Sequence, residues 1–197
     1  MPDLFTQLAI TLLTAHIFGD FLLQSYQDAE KKQYKVATLF KHSLIVSGIS
    51  YLLAGLWNVW FIPVLIFLTH AGIDYIKSLW DKNGFKGLII DQALHVVVIL
   101  LLAKLVSSNT QEVNTYWILT LGIVYLQAII PAAGFVLTVF GGNVVVSIAV
   151  SPYVEELNQK FSRNETENTD TGLEKGGKII GKLERALIFL FVALGTF

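Results

Sequence analysis

Six apolar stretches, most of them close to twenty residues long, constrain this chain more than any other feature. They cover residues 4–24, 42–57, 60–79, 88–106, 116–140 and 179–197. A bilayer core of roughly 30 Å is crossed by about 20 apolar residues at about 1.5 Å of helix rise each. In hydrocarbon a helix satisfies its backbone hydrogen bonds within one segment, which an isolated strand cannot do. The pattern predicts an all-α, polytopic membrane helix bundle of about six transmembrane helices, built as a single integral membrane domain over residues 1–197. Composition agrees: 54% of residues are hydrophobic and 15% charged, where a soluble domain carries about 25% charge. Mean hydropathy is +0.61.

The first stretch is expected to be a retained span rather than a signal peptide, since it lacks a basic leading region and places Asp20 where a cleavage site needs small neutral residues. Asn58 marks a tight turn between the second and third stretches, and Pro63 sits in the first turn of the latter. Gly141 and Gly142 are expected to end the fifth. Residues 141–178 then read as a cytoplasmic or interfacial segment, with 144–161 too close to the fifth span to cross back. Residues 162–174 are polar and lack a core-forming pattern; the Asn164–Thr166 sequon falls there. The sixth stretch is barely long enough to span and runs to the last residue.

Lysine asymmetry sets the expected orientation. Lys31, Lys32, Lys35 and Lys41 follow the first span, Lys77, Lys82 and Lys86 follow the third, and six Lys or Arg residues lie within 160–185. The opposite loops are nearly uncharged, so the charged loops are expected in the cytoplasm of a bacterial inner membrane. Trp57, Trp60, Trp80 and Trp117 fall at span ends, as an interfacial aromatic belt does. The net charge of −1 argues against nucleic acid, which requires a basic footprint. The absence of cysteine removes thiolate metal sites, disulfides and thiol catalysis. Membrane lipids are the expected partners, and oligomer formation stays open.

All four histidines lie on these stretches, and three have an aspartate four residues away. His16 and Asp20 are followed by Gln24 on the first stretch, His70 and Asp74 by Lys77 on the third, and Asp91 precedes His95 on the fourth; His42 opens the second. Residues four apart share a helix face, so each pair forms one polar stripe. With spans alternating in direction, all four helices bring these groups to the same depth, the cytoplasmic half of the bilayer. Hydropathy alone does not require that coincidence.

Ionisable groups in a bilayer are costly and usually mark function. Imidazole with carboxylate is a ligand set for zinc or manganese. On that reading His16, His42, His70 and His95 are the metal ligands, Asp20, Asp74 and Asp91 are the catalytic carboxylates that orient ligands or deprotonate a bound water, and Gln24, Lys77, Glu184 and Arg185 contact substrate. This points to a metal-dependent hydrolase of a lipid or lipid-linked substrate. The same residues also suit a cation or proton path through a transporter or channel, and a structural or accessory membrane protein would use them only as packing contacts.

The run from His16 to Gln24, the His70, Asp74 and Lys77 motif, and Gly181 to Arg185 together resemble a family of bacterial and phage multi-pass membrane proteins, the domain-of-unknown-function 3307 family. The resemblance spans most of the chain. It implies that His16, Asp20, Gln24, His70, Asp74, Lys77, Asp91, His95, Glu184 and Arg185 are recurrent polar positions, and it implies no activity. Members of that family continue past the last span with a glycine-rich, basic stretch, whose role does not carry over to this sequence.

Overall fold

The computed structural model describes residues 1–25, 35–80, 84–161 and 171–195. Lys31, Lys32, Lys82, the Asn164–Thr166 sequon and residues 196–197 lie outside them. Every regular element among the described residues is helical. α1 (Leu4–Ile17) continues into a π-helical turn, Phe18–Leu22. α2 is Val36–Ala54, α3 Phe61–Trp80, α4 Phe85–Asn109 and α5 the short Tyr116–Leu121. α6 (Val124–Val136) passes through a second π-helical turn, Leu137–Gly141, into α7 (Gly142–Phe161); α8 is Thr171–Ala193.

Among the described residues, five stretches are long and apolar enough to cross a membrane, as an integral membrane protein requires: Leu4–Leu22, Val36–Ala54, Phe61–Leu79, Phe85–Asn109 and Val124–Glu156. The sixth expected span lies on a helix, α8, but Lys182, Glu184 and Arg185 fall within four of its residues, and it is not among those five. The fifth differs from expectation at both ends. Its chain breaks at Gly122, whose φ of 63° ends α5, and it does not stop at Gly141 and Gly142. Gly142 has φ −57° and ψ −34°, right-handed helical values that carry the helix onward. Residues 144–161 therefore extend the fifth helix.

The chain forms two compact units, Met1–Ala133 and Gly134–Phe197. In the first, α1 packs on α2 and α4, and α3 packs on the same two, which closes a four-helix ring. Asp3 caps α1 by accepting the Thr6 N–H at 2.9 Å. Small residues allow the closest approach, between α2 and α3: Ser43, Ser47, Ser50 and Ala54 share one buried face of α2, as helical spacing dictates. The Ser47 hydroxyl crosses that seam to donate to the Pro63 carbonyl at 2.9 Å. Thr11 and Ser43, both buried, and the partly buried Thr69 donate back to carbonyls of Gln7, Leu39 and Leu65, so these hydroxyls keep a partner.

One half of the ring is an apolar plug of Leu8, Leu12, Val46, Ile62, Ile66, Ile99 and Ala103. At that end Gln7 ties the start of the chain to the segment before α5. Its amide nitrogen donates to the Pro2 carbonyl at 2.8 Å and to Asn114 Oδ1 at 2.9 Å, and its oxygen accepts the Thr115 N–H at 3.0 Å. Gly55, at φ 61°, ends α2 there with Trp117 against it. Trp57 and Trp60 are exposed between α2 and α3.

The opposite half depends on Gly19, in the π-helical turn. A Cβ at this position would meet Val46 Cγ2 of α2 at 2.6 Å, closer than any real contact, so only glycine permits this approach. Gly19→Ala is expected to destabilise the protein by about 1–3 kcal/mol, the cost of overpacking a close-packed contact. Val46→Ala in the same chain should restore most of the loss in thermal unfolding, a coupling that independent sites lack. Additive losses would contradict the contact.

Candidate metal centre

The half of the ring away from the plug gathers seven ionisable side chains. His16 and Asp20 come from α1 and its π-helical turn, His42 from α2, His70 and Asp74 from α3, and Asp91 and His95 from α4. His42 lies six residues after the first residue of α2, Asp91 six after the first of α4, and Asp74 six before the last of α3. At about 1.5 Å per residue, each is roughly 9 Å in from its helix end. The four helices thus bring these seven side chains together at one end of the ring. π-helical turns inside α-helices recur at functional sites, and this one carries Asp20.

Among the described residues, three donor sets lie with all their ligand atoms within 4.8 Å of one another: Asp20, His42 and His70; His16, His70 and His95; and Asp74, Asp91 and His95. His42 Nε2 and His70 Nε2 are 3.0 Å apart, and they stand 3.2 and 3.5 Å from Asp20 Oδ1. Zinc bonds of about 2.0–2.1 Å in a tetrahedron separate neighbouring ligands by roughly 3.3 Å, so this triangle has the size of one tetrahedral face. Asp74 Oδ2 lies 3.8 and 3.6 Å from the same two nitrogens. The His70 and His95 rings are tilted against each other at 4.4 Å between centroids, and His16 and His95 stack at 4.7 Å.

Gln92 holds the cluster together. Its amide nitrogen donates to Asp20 Oδ2 and to Asp91 Oδ2, each at 3.2 Å, and its oxygen faces His16 Nε2 at 3.3 Å. A carbonyl oxygen accepts only, so His16 carries its proton on Nε2 and presents a bare Nδ1. His95 is fixed likewise: Nδ1–H donates to the Asp91 backbone carbonyl at 2.9 Å, which leaves the Nε2 lone pair bare. His16 Nδ1 and His95 Nε2 are buried and have no hydrogen-bond partner among the described residues. A ring whose protonated nitrogen is anchored to a carbonyl, with the other nitrogen exposed as a lone pair, is the arrangement of a metal-ligating histidine. A cavity of about 20 Å³, enough for one water, lies against His16, His70, His95 and Thr69.

Residues 8–123 match a family described as a protein of unknown function, DUF3307. The chain belongs to that family. The matched segment contains all seven clustered residues and Gln92. No curated protein and no solved structure matches the chain.

In this DUF3307 protein, every expected histidine and all three expected aspartates come together. Lys77 joins them by pairing its ammonium with Asp91 Oδ2 at 3.0 Å. Gln24 lines a small notch with Thr38, Lys41 and His42, and its amide nitrogen has no hydrogen-bond partner among the described residues. Glu184 and Arg185 belong to the second unit. There Arg185 donates to the Val139 carbonyl at 3.4 Å and to Asn143 Oδ1 at 3.3 Å, bonds that fasten α8 to the π-helical turn before α7.

The residue that pattern reading missed is Gln92. It follows Asp91 directly, so it points about 100° around α4 from the Asp91–His95 stripe and turns toward α1. The available signal was an amide next to an intramembrane carboxylate. Gln92→Leu removes the group that sets the His16 tautomer and bridges two carboxylates. It should weaken zinc or manganese binding by about 10–100-fold, the usual cost of losing an outer partner of a metal ligand. Calorimetric titration of detergent-solubilised protein measures this, and unchanged affinity would contradict the role.

Proposed function

We propose that this protein is a membrane-embedded, metal-dependent hydrolase acting on a lipid or lipid-linked substrate at the cytoplasmic leaflet. The observation that carries the reading is the Asp20, His42 and His70 triangle, whose 3.0, 3.2 and 3.5 Å edges suit one divalent cation. Three protein ligands leave a coordination position open, which separates catalytic from structural zinc sites. A divalent cation held there would supply Lewis-acid activation of a water molecule. Asp74 Oδ2, within 4 Å of both imidazole nitrogens, is the group to receive its proton.

A lipid substrate follows from depth. Groups about 9 Å in from the ends of apolar helices are reached most readily by a molecule already dissolved in the bilayer. Gln24 and Lys41, at the notch beside His42, are the polar handles for a head group. Lys77 is engaged by Asp91 and acts within the cluster.

A transport reading is favoured by one observation, the unbroken polar chain from Lys77 through Asp91, Gln92 and Asp20 to His42. Cation or proton flux through proteoliposomes, abolished by Asp20→Asn, would select it.

The hydrolase reading is tested with purified protein on a panel of acyl and phosphate esters of lipids. Hydrolysis should vanish with a chelator and return with zinc or manganese. His42→Ala should reduce the rate by more than the roughly 100-fold that loss of an outer partner costs. Chelator-insensitive activity, or metal-loaded protein inert on every ester, would refute it.

A further inference from the structure

The cluster holds more ligands than one cation uses. Zinc takes four ligands in protein sites, whereas seven histidines and aspartates meet here. The Asp20, His42 and His70 set shares no residue with the Asp74, Asp91 and His95 set. The two adjoin, since His70 Nε2 of the first is 3.6 Å from Asp74 Oδ2 of the second.

The second set has two features of its own. Asp91 and His95 are 3% and 2% exposed, and Asp91 Oδ1 and His95 Nε2 have no hydrogen-bond partner among the described residues. A buried acceptor without a partner costs free energy unless something electropositive reaches it. The other Asp91 oxygen already receives a positive charge, the Lys77 ammonium at 3.0 Å. That ammonium approaches from the partly open side, its side chain 22% exposed, so it can withdraw without breaking the fold.

We propose that Asp74, Asp91 and His95 form a second divalent-cation site, and that Lys77 fills it with its own charge until a metal ion displaces it. The inference rests on the metal-centre reading of the first set. Lys77 then controls occupancy: with the ammonium in place a second ion meets a like charge a few ångströms away in a low-dielectric interior, where such repulsion is strong. Only one ion is held tightly.

Calorimetric titration with Zn²⁺ on the full-length, detergent-solubilised protein tests this without any turnover. The wild type should bind one equivalent tightly and a second weakly. Lys77→Met should bind the second at least about tenfold more tightly, and its thermal stability should depend on added Zn²⁺ more steeply than the wild type's. Lys77→Gln keeps a hydrogen-bond donor for Asp91 and should show the same gain, which covers failure of the methionine variant to fold. Lys77→Arg keeps the charge and should behave as the wild type. Asp91→Asn added to Lys77→Gln should remove the second equivalent. An unchanged second affinity in both neutral variants, or a single equivalent throughout, overturns the proposal. A single equivalent with metal-dependent ester hydrolysis leaves the hydrolase reading standing, and two equivalents without hydrolysis removes that reading alone.

Discussion

Four imidazoles and three carboxylates withdrawn from water inside a ring of apolar helices are the constraint on which the rest of this structure depends. Burying one such group without a partner costs several kcal/mol, and a bilayer offers no water to relieve it. The chain meets that cost by gathering all seven into one cluster, where they face one another. Removing one partner from so dense a set leaves its neighbours stranded, so the site and its helices stand or fall together.

The surrounding fold serves this convergence. The serine face of α2 lets α3 approach closely enough for His42 and His70 nitrogens to meet at 3.0 Å. Gly19 lets α1 approach α2 at the turn that carries Asp20. The plug built on Leu8, Leu12 and Ile66 closes the far half of the ring, so the polar groups occupy only one end. Such division of labour lets apolar packing supply stability while the cluster stays arranged for binding.

Much of this was legible in the residues. Apolar runs near bilayer length marked the helices, and the four-residue His–Asp spacing marked the helix faces that meet in the cluster. What escaped has physical causes. Periodicity reads one face of one helix, so it marked Asp91 and His95 but passed over Gln92, one step around α4. It cannot show that Lys77, on α3, reaches an aspartate on α4, because pairing between helices is a tertiary fact. Gly141 and Gly142 looked like a terminus because glycine favours helix ends, yet Gly142 keeps helical dihedrals and a π-helical turn absorbs the irregularity. The bonds from Arg185 to Val139 and Asn143 within its own unit likewise have no signature in sequence spacing.

The central claim is that Asp20, His42 and His70 form a metal site. X-ray absorption at the zinc edge of protein purified with one equivalent of metal addresses it most directly. The account predicts a first shell at about 2.0–2.1 Å with the multiple-scattering signature of two imidazoles, reduced to one in His42→Ala. A shell of water oxygens without imidazole scattering, or a spectrum identical in His42→Ala, would contradict it.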